Sequence, residues 1–205
     1  MKVEITKNYQ KDMPNEFAAA TTHGRDVKAP PKYWFTCEHS PIRLFRYFIK
    51  ITGLKSFIST HLVRHGVFAN HAVTSKRDDL RPDPNETIGR DTPVTHVVET
   101  NAAELIFISR RRLCYKSHKE TVGAWKHVTK SIKEIEPSLF PYLVPECVYR
   151  NICPEHVQCK PGIKKVMSAY RYYPLMPDYV HNWLDSDEEY ICTKTRDTGI
   201  QKEGK

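Results

Sequence analysis

Strands are predicted at two places where apolar and polar residues alternate. The run Lys2–Lys7 carries apolar side chains at every second position, which is typical of a strand with one buried face. The same period of two returns further along, on the side formed by Phe45, Tyr47, Ile49 and Ile51. We expect this second strand to end at Gly53. Between the two runs the chain is polar up to Pro31 and is interrupted by Gly24 and Pro30.

Helical spacing predicts three helices and one short turn. Ser40-Pro41 predicts the turn, because serine is a common N-cap and proline favours the first helical position. Apolar residues three and four positions apart predict a helix over Leu54–His65, a buried helix over Ala102–Leu113 and an amphipathic helix over Lys119–Ile135. The first of these helices brings apolar and imidazole groups to one face, made of Phe57, Ile58, His61, Leu62 and His65.

Length and composition favour a single domain of the α/β (α+β) class, with packed helices. With 205 residues and 40% hydrophobic content, the chain can bury one good core. We expect residues 1–192 to form this domain and the polar tail 193–205 to be disordered. The charged, proline-containing segment Lys76–Thr92 is expected to be a loop.

Charge and hydropathy narrow the class of partner. The net charge of +8, from 32 basic and 24 acidic residues, suits phosphate-bearing ligands without distinguishing nucleotides from polymers. No run of about 20 apolar residues suggests a membrane span, and the N-terminus lacks the apolar core of a signal peptide. We therefore expect no membrane association and a cytoplasmic location, in the host cytoplasm if a phage encodes the chain.

The six cysteines are too sparse for a disulfide framework, and a reducing compartment would keep them as thiols. Four residues close in sequence could supply soft ligands for zinc: Cys147, Cys153, His156 and Cys159. The five-residue gaps between the cysteines differ from the two-to-four-residue spacing of zinc knuckles. Free or buried thiols are therefore preferred to a metal site.

Candidate chemistry is concentrated in His61–Arg77. Arg64-His65 follows a run too apolar for a free surface helix, so the pair should project from a buried support, as a phosphate or flavin contact requires. About ten residues later, Ser75-Lys76-Arg77 places a hydroxyl and a guanidinium on one face of an extended segment, where one phosphate could take both. These features indicate a site for an anionic, planar ligand. The alternative is a surface helix end and a solvated basic turn paired with Asp78 and Asp79.

A family resemblance supports the first interpretation. Over roughly Cys37–Glu120 the chain resembles the flavin-dependent thymidylate synthases, whose hallmark is Arg-His-Arg followed by Asn-Glu-x-x-Ser-x-Arg-Tyr and then an Asn-Ala-x-x-Leu helix. The residues that carry the resemblance are Arg64-His65, Asn70-His71, Ser75-Lys76-Arg77, Asn101-Ala102, Leu105 and Arg112. Arg112 stands where that family has its substrate-binding arginine. The spacing to Ser75 is one residue longer than in the family, so the chain resembles a divergent, phage-like branch.

The resemblance implies a fold, a reaction and a set of roles. The fold would be that of thymidylate synthase-complementing proteins, with an antiparallel or mixed sheet, assembled as a homotetramer. The enzyme would bind FAD and transfer a one-carbon unit from methylenetetrahydrofolate to C5 of dUMP, with NADPH as reductant and without a cysteine nucleophile. The implied FAD contacts are Arg64, His65, Asn101 and His118. The implied nucleotide contacts are His61, His71, Ser75, Arg77 and Arg112, of which Arg112 is the catalytic residue, on the uracil edge.

Three positions depart from the family pattern. Leu44 stands where the family has a histidine, Gly66 replaces the third residue of Arg-His-Arg, and His71 replaces a glutamate. An imidazole in place of a carboxylate could change the base accepted or give a hydroxymethyl product on the same scaffold.

Two further alternatives remain at this point. A basic nucleic-acid-binding module would use the cluster Arg110–Arg112 and the aromatic segment Tyr170–Tyr173, although no named nucleic-acid motif is present. A catalytically inactive relative would explain Gly66 and Leu44.

Overall fold

The computed structural model describes residues 1–21, 24–65, 69–83 and 85–186. Gly66, Cys192 and the predicted tail 193–205 therefore lie outside the described residues. Within them, one antiparallel sheet has the strand order β1-β2-β4-β3. Its strands are β1 (Lys2–Lys7), β2 (Arg46–Lys55), β3 (Asn70–Val73) and β4 (Pro93–Asn101).

Eight helices accompany the sheet in the described part of the chain. They are α1 (Met13–Thr21), α2 (Pro31–Cys37), α3 (Ser56–Val63), α4 (Ala102–Arg112), α5 (Lys119–Ile135), α6 (Glu146–Tyr149), α7 (Gly162–Ser168) and α8 (Asp178–Asp185). Short 3-10 turns occupy Ser40–Leu44, Asp78–Leu80 and Phe140–Tyr142. None of the helices described is long and apolar enough to cross a membrane.

The second strand continues beyond its predicted end at Gly53. Its register with β4 shifts between Ile51 and Leu54, so β2 carries an extra residue there, which is a β-bulge. Gly53 adopts a φ of 73°, a conformation that glycine reaches without a steric cost. A glycine in a strand pattern can therefore mark a bulge as well as an end, and α3 begins at Ser56 instead of Leu54.

Several elements agree with the predicted pattern. β1, α4 and α5 occupy the predicted segments, and a turn begins at Ser40, although the residue before it is His39 and no side chain caps it. The segment predicted to be extended around Ser75–Arg77 lies beyond β3 and is irregular. β3, β4, α1 and α2 had no prediction, because their periodic runs are short or mixed with polar residues.

The packing of the helices brings the ends of α3 and α4 together. The face of the sheet that carries Tyr47, Ile49 and Val98 is buried, and α3 packs on β2 and β4. α4 packs on α5, where Trp125 Nε1 donates to Ser109 Oγ at 2.9 Å. α6 contacts α4, α7 contacts α6 and α8 contacts α7, so the C-terminal third packs against one side of α4.

Candidate functional site

The C-terminal end of α3 carries the first group of candidate residues. His61 is half-buried, and His65, just past the end of the helix, is 8% exposed. These two side chains share a face because residues four apart lie above one another on a helix. Arg64, which lies between them in the sequence, is the C-cap of α3 and is exposed.

The C-terminal end of α4 carries three arginines in three environments. Arg110 donates to Glu38 Oε1 at 2.5 Å, and its guanidinium lies 3.4 Å from the centre of the Tyr149 ring. Arg111 is exposed and lies 5.8 Å from the Phe107 ring. Arg112 turns towards α3. Basic residues at a helix C-terminus are favoured by the macrodipole, but these contacts give each arginine its own role.

Arg112 joins the two helix ends. Its Nε donates to His65 Nε2 at 2.8 Å and its Nη2 donates to the backbone oxygen of His61 at 2.7 Å. We call these two hydrogen bonds the Arg112 clamp. Both acceptors are neutral, so the positive charge of the guanidinium is held in place without a carboxylate partner. Burial and the nearby charge of Arg64 lower the pKa of Arg112, but arginine stays charged at neutral pH.

The clamp fixes the state of His65. An Nε2 that accepts from a guanidinium carries no proton, so the ring is neutral and its proton sits on Nδ1. Burial, followed by the charges of Arg112, His71 and Arg111, lowers the pKa of His65 to about 4, which agrees with a neutral ring. No other described residue accepts a hydrogen bond from Nδ1, so this N–H is available to a ligand.

A chain of three hydrogen bonds supports the backbone of His65. His71 Nε2 lies 3.3 Å from the backbone oxygen of His65, His71 Nδ1 lies 2.9 Å from His96 Nε2, and His96 Nδ1 lies 2.8 Å from Ser59 Oγ. We call Ser59, His96 and His71 the histidine chain. His96 is fully buried on β4, and burial, followed by the charge of His71, lowers its pKa to about 4.

The direction of the histidine chain follows from its last acceptor. A carbonyl oxygen can only accept, so His71 Nε2 donates and, in a neutral ring, Nδ1 accepts. His96 must then donate from Nε2 and accept at Nδ1 from the Ser59 hydroxyl. One tautomer of each ring satisfies every bond, so the chain holds the backbone at the end of α3 in a defined position.

His118 lies on the other side of His61. Its ring centre lies 4.9 Å from that of Phe57 and 6.1 Å from that of His61. His61 Nδ1 lies 2.9 Å from Thr121 Oγ1 on α5, and burial, followed by the charges of Arg112, Arg64 and His118, lowers the pKa of His61.

These residues line a cavity of about 700 Å³ between α3, α4 and the segment 146–166. Predicted site residues on its wall are His61, Arg64, His65, Arg112 and His118. The volume lies within the range of small-molecule sites, about 300–1,000 Å³. The structure thus brings together five of the residues that the sequence indicated.

The cavity has uncompensated positive charge. Within the part of the chain that the structure describes, Arg64, Arg111 and Lys116 make no hydrogen bond or ion pair through their side chains, and all three line the cavity with Arg112. Of the three carboxyl groups there, Glu146 is already paired with Arg150, Glu155 is exposed, and burial raises the pKa of Glu104. Cations that repel one another across a half-enclosed space favour an anionic ligand.

Other predicted site residues lie elsewhere. Asn101 accepts from the backbone N–H of Glu104 at 3.0 Å, so it caps α4 at the end opposite Arg112. The helix between them is about 16 Å long, from the rise of 1.5 Å per residue. Asn101 lines a separate polar cavity with Arg43 and Arg46.

Ser75 and Arg77 do not line the cavity either. Both are exposed, the backbone N–H of Arg77 donates to Ser75 Oγ, and the Arg77 guanidinium forms a salt bridge with Asp79 at 2.6 Å. This is the solvated basic turn considered from the sequence. Leu44 lies beside the second cavity with Asn101.

The cysteines line the same cavity without forming a metal site. Cys114, Cys147, Cys153 and Cys159 are on its wall, and all are free thiols. Among residues 1–21, 24–65, 69–83 and 85–186, no three His, Cys, Asp or Glu side chains are grouped so as to hold a metal ion, so the set that includes His156 is not assembled. Burial raises the pKa of Cys114, and that of Cys147 to about 12, which makes these thiols poor nucleophiles.

The aromatic segment considered for nucleic-acid binding is mostly part of the core. Tyr170 and Tyr173 are buried, and Tyr172 stacks on Phe140 with ring centres 5.4 Å apart. Arg110 is engaged with Glu38. These residues do not form a platform on which bases could stack.

Sequence reasoning missed Ser59, His96 and Glu104. His96 falls at an inward position of Pro93–Asn101, where valines alternate with polar residues, so interpreting this run as a strand would have placed an imidazole in the core. Glu104 follows Asn101 by three residues and looks like an ordinary first-turn acid. Its burial results from tertiary packing and has no local sequence signal.

Comparison with known proteins gives a fold. No protein-family model matches the chain, and no curated protein matches it significantly. Two structures of the flavin-dependent thymidylate synthase from Helicobacter pylori, both with FAD and dUMP, match it with a TM-score of 0.54 at 14% identity. The match covers 68% of this chain and 98% or 97% of the other. At this identity the likeness shows the fold alone, which confirms the predicted α/β fold with an antiparallel sheet; the homotetramer stays a prediction, and the remainder of the chain has no counterpart in the match.

Proposed function

We propose that this protein binds FAD and dUMP in the cavity between α3 and α4 and transfers a one-carbon unit to C5 of the pyrimidine, forming thymidylate. The observation that carries the proposal is the Arg112 clamp, a guanidinium held by neutral groups at the wall of a cationic cavity. The likeness in fold to a protein with FAD and dUMP bound gives independent support.

Arg112 is assigned to the pyrimidine. A carbon nucleophile at C5 requires negative charge to develop on the ring, and a fixed guanidinium beside the uracil oxygens stabilises that charge. Because the clamp already positions the side chain, little reorganisation is needed when the charge develops. Arg112 is therefore the catalytic residue of the proposal.

The other cavity residues are assigned to binding. Arg64 and Lys116, exposed cations at the wall, suit the phosphates of FAD or of the nucleotide. His65 offers its Nδ1–H to a ring or phosphate acceptor and is not a general base, because Arg112 already occupies its free lone pair. His61 and His118 add polar edges on the α5 side. When bound, FAD would supply the hydride that the transfer requires.

Further parts of the proposal come from the family resemblance. They are methylenetetrahydrofolate as the one-carbon donor, NADPH as the reductant, a homotetramer and a location in the cytoplasm, or in that of a host. Asn101 keeps its proposed FAD contact only if the cofactor spans the length of α4 or is shared between subunits. Ser75 and Arg77 likewise need an assembly to reach a nucleotide.

The hydroxymethyl product is not favoured. It was suggested by His71 in place of a glutamate, but His71 is hydrogen-bonded within the histidine chain and does not line the cavity. The thymidylate reaction is therefore preferred.

Turnover tests the proposal. The purified protein is incubated with FAD, NADPH, methylenetetrahydrofolate and dUMP, and the nucleotide product is analysed by mass spectrometry. We expect thymidylate, with no product when FAD is omitted from flavin-free protein. A product heavier by one oxygen would indicate hydroxymethyl transfer, and the absence of any product with flavin bound would indicate an inactive relative.

A further inference from the structure

Glu104 is a buried carboxyl group to which nothing above assigns a role. It lies in the first turn of α4, is 3% exposed and lines the cavity. Its Oε1 is inaccessible to solvent and has no hydrogen-bond partner among the described residues. A buried carboxyl without a partner is destabilising, so it calls for an explanation beyond folding.

Burial favours the neutral form of Glu104. No cation among the described residues pairs with its carboxyl group, and burial raises its pKa. A protonated carboxyl carries an O–H donor and a C=O acceptor side by side. Its complement is a pair of adjacent groups in one plane, an acceptor and an N–H donor.

Position along α4 separates Glu104 from the clamp. Phe107 and Arg111 follow it at spacings of three and seven residues, so the three side chains form one strip of the cavity wall. Arg112 lies eight residues after Glu104, which corresponds to about 12 Å along the helix axis. A uracil ring at Arg112 spans less than this distance, so a ligand group at Glu104 would be a different ring.

We propose that Glu104 forms a second ligand position, at which its carboxyl group pairs with the N–H and C=O edge of a fused pyrimidinone ring. The inference rests on the proposed function, which supplies two sources of such a ring, the isoalloxazine of FAD and the pterin of the folate. Phe107 lies on the same strip and gives the ring an apolar neighbour.

The test compares two substitutions. Glu104→Gln keeps a donor and an acceptor, whereas Glu104→Leu removes both at similar volume. Dissociation constants are measured for FAD, folic acid and dUMP, each alone, with wild-type protein and both variants. Circular dichroism establishes that the variants fold, and Glu104→Met replaces the leucine variant if that one does not.

We expect Glu104→Leu to raise the dissociation constant of FAD or of folic acid by about tenfold or more, because leucine leaves the ring edge unpaired. The dissociation constants of Glu104→Gln should stay within about threefold of the wild-type values. A loss of affinity for only one of the two ligands identifies the ring that Glu104 contacts, and a loss for both means that the two rings share the position. dUMP affinity should not change, and the ligand-free leucine variant should melt at a higher temperature than wild type, since it lacks the unsatisfied carboxyl.

Two results would overturn the inference alone: unchanged affinity of Glu104→Leu for both FAD and folic acid, or an equal loss for dUMP, which would indicate a general structural role. Wild-type protein that binds neither FAD nor folic acid would overturn the proposed function together with the inference.

Discussion

Arg112 Nε lies 2.8 Å from Nε2 of His65, which ties together the ends of two helices that are distant in sequence. The second bond, to the backbone oxygen of His61, prevents the guanidinium from rotating. A cation held by neutral acceptors keeps its full charge for a ligand, whereas a carboxylate partner would have offset it.

The clamp predicts that Arg112→Gln lowers kcat/KM for dUMP by about 10²–10³, the usual effect of removing a fixed group that stabilises charge in the transition state. FAD should remain bound, because Arg64 and His65 are retained. Steady-state kinetics and flavin absorbance measure the two effects separately.

Arg25→Gln is the matched control for this prediction. It removes the same charge from an exposed position that does not line the cavity, and should leave kcat/KM within about threefold, as is usual for a surface charge. If Arg25→Gln proves as damaging as Arg112→Gln, the catalytic assignment of Arg112 is wrong.

Arg110→Ala is expected to affect stability and not turnover. The substitution removes the salt bridge to Glu38 and the stacking on Tyr149, so the free energy of unfolding should fall by about 1–2 kcal/mol. Urea unfolding measures this change. A large loss of kcat at saturating substrate in folded Arg110→Ala would instead place this arginine at the ligand.

Much of the fold is predictable because its elements bury one regular face. β1, α4 and α5 have clear periods of two or 3.6. β4 was missed because His96 and Thr100 occupy inward positions, which makes an inward-facing row look polar. The position of α6 to α8 against α4 depends on tertiary packing, which local patterns do not encode.

The candidate site could be predicted in part. The pairing of residues 64–65 with Arg112 followed from an ordered set of motifs, and the structure places His65 in hydrogen-bond contact with Arg112 and Arg64 on the wall of the same cavity. Asn101 was grouped with them by motif, although an eleven-residue helix separates it from Arg112. The histidine chain needed the pairing of β3 with β4, because His71 and His96 are adjacent only in the sheet.

Acidification should destabilise the protein below about pH 6.5. The folded pKa values of His65 and His96 are about 4, below the unfolded value of about 6.5, so the unfolded state binds more protons between these limits. Stability is therefore fully present above pH 6.5 and is lost as the pH falls towards 4, by up to about 3 kcal/mol for each histidine.

Urea unfolding between pH 7.5 and 4.5 checks this dependence. The matched control is His39→Gln, at an exposed position, which should keep the wild-type slope. His65→Asn should show a shallower dependence of the free energy of unfolding on pH. A free energy of unfolding that is independent of pH over this range would show that the two imidazoles are not buried neutral.

The histidine chain predicts coupling between Ser59 and His96. His96→Leu leaves the Ser59 hydroxyl and His71 Nδ1 unpaired and should cost about 2–3 kcal/mol, whereas Ser59→Ala should cost about 1 kcal/mol. The double variant should be about as stable as His96→Leu alone, because the serine has already lost its partner. Additive effects in this cycle would mean that the bond between Ser59 and His96 contributes nothing.

The absorbance spectrum of the purified protein, equilibrated with FAD and then desalted, tests the central claim most directly. We expect a retained flavin spectrum that changes when dUMP is added to wild-type protein, and in Arg112→Gln a retained spectrum that does not respond to dUMP. A colourless protein after desalting, or a response to dUMP that survives the loss of Arg112, would contradict the assignment of the cavity at the Arg112 clamp to FAD and a pyrimidine nucleotide.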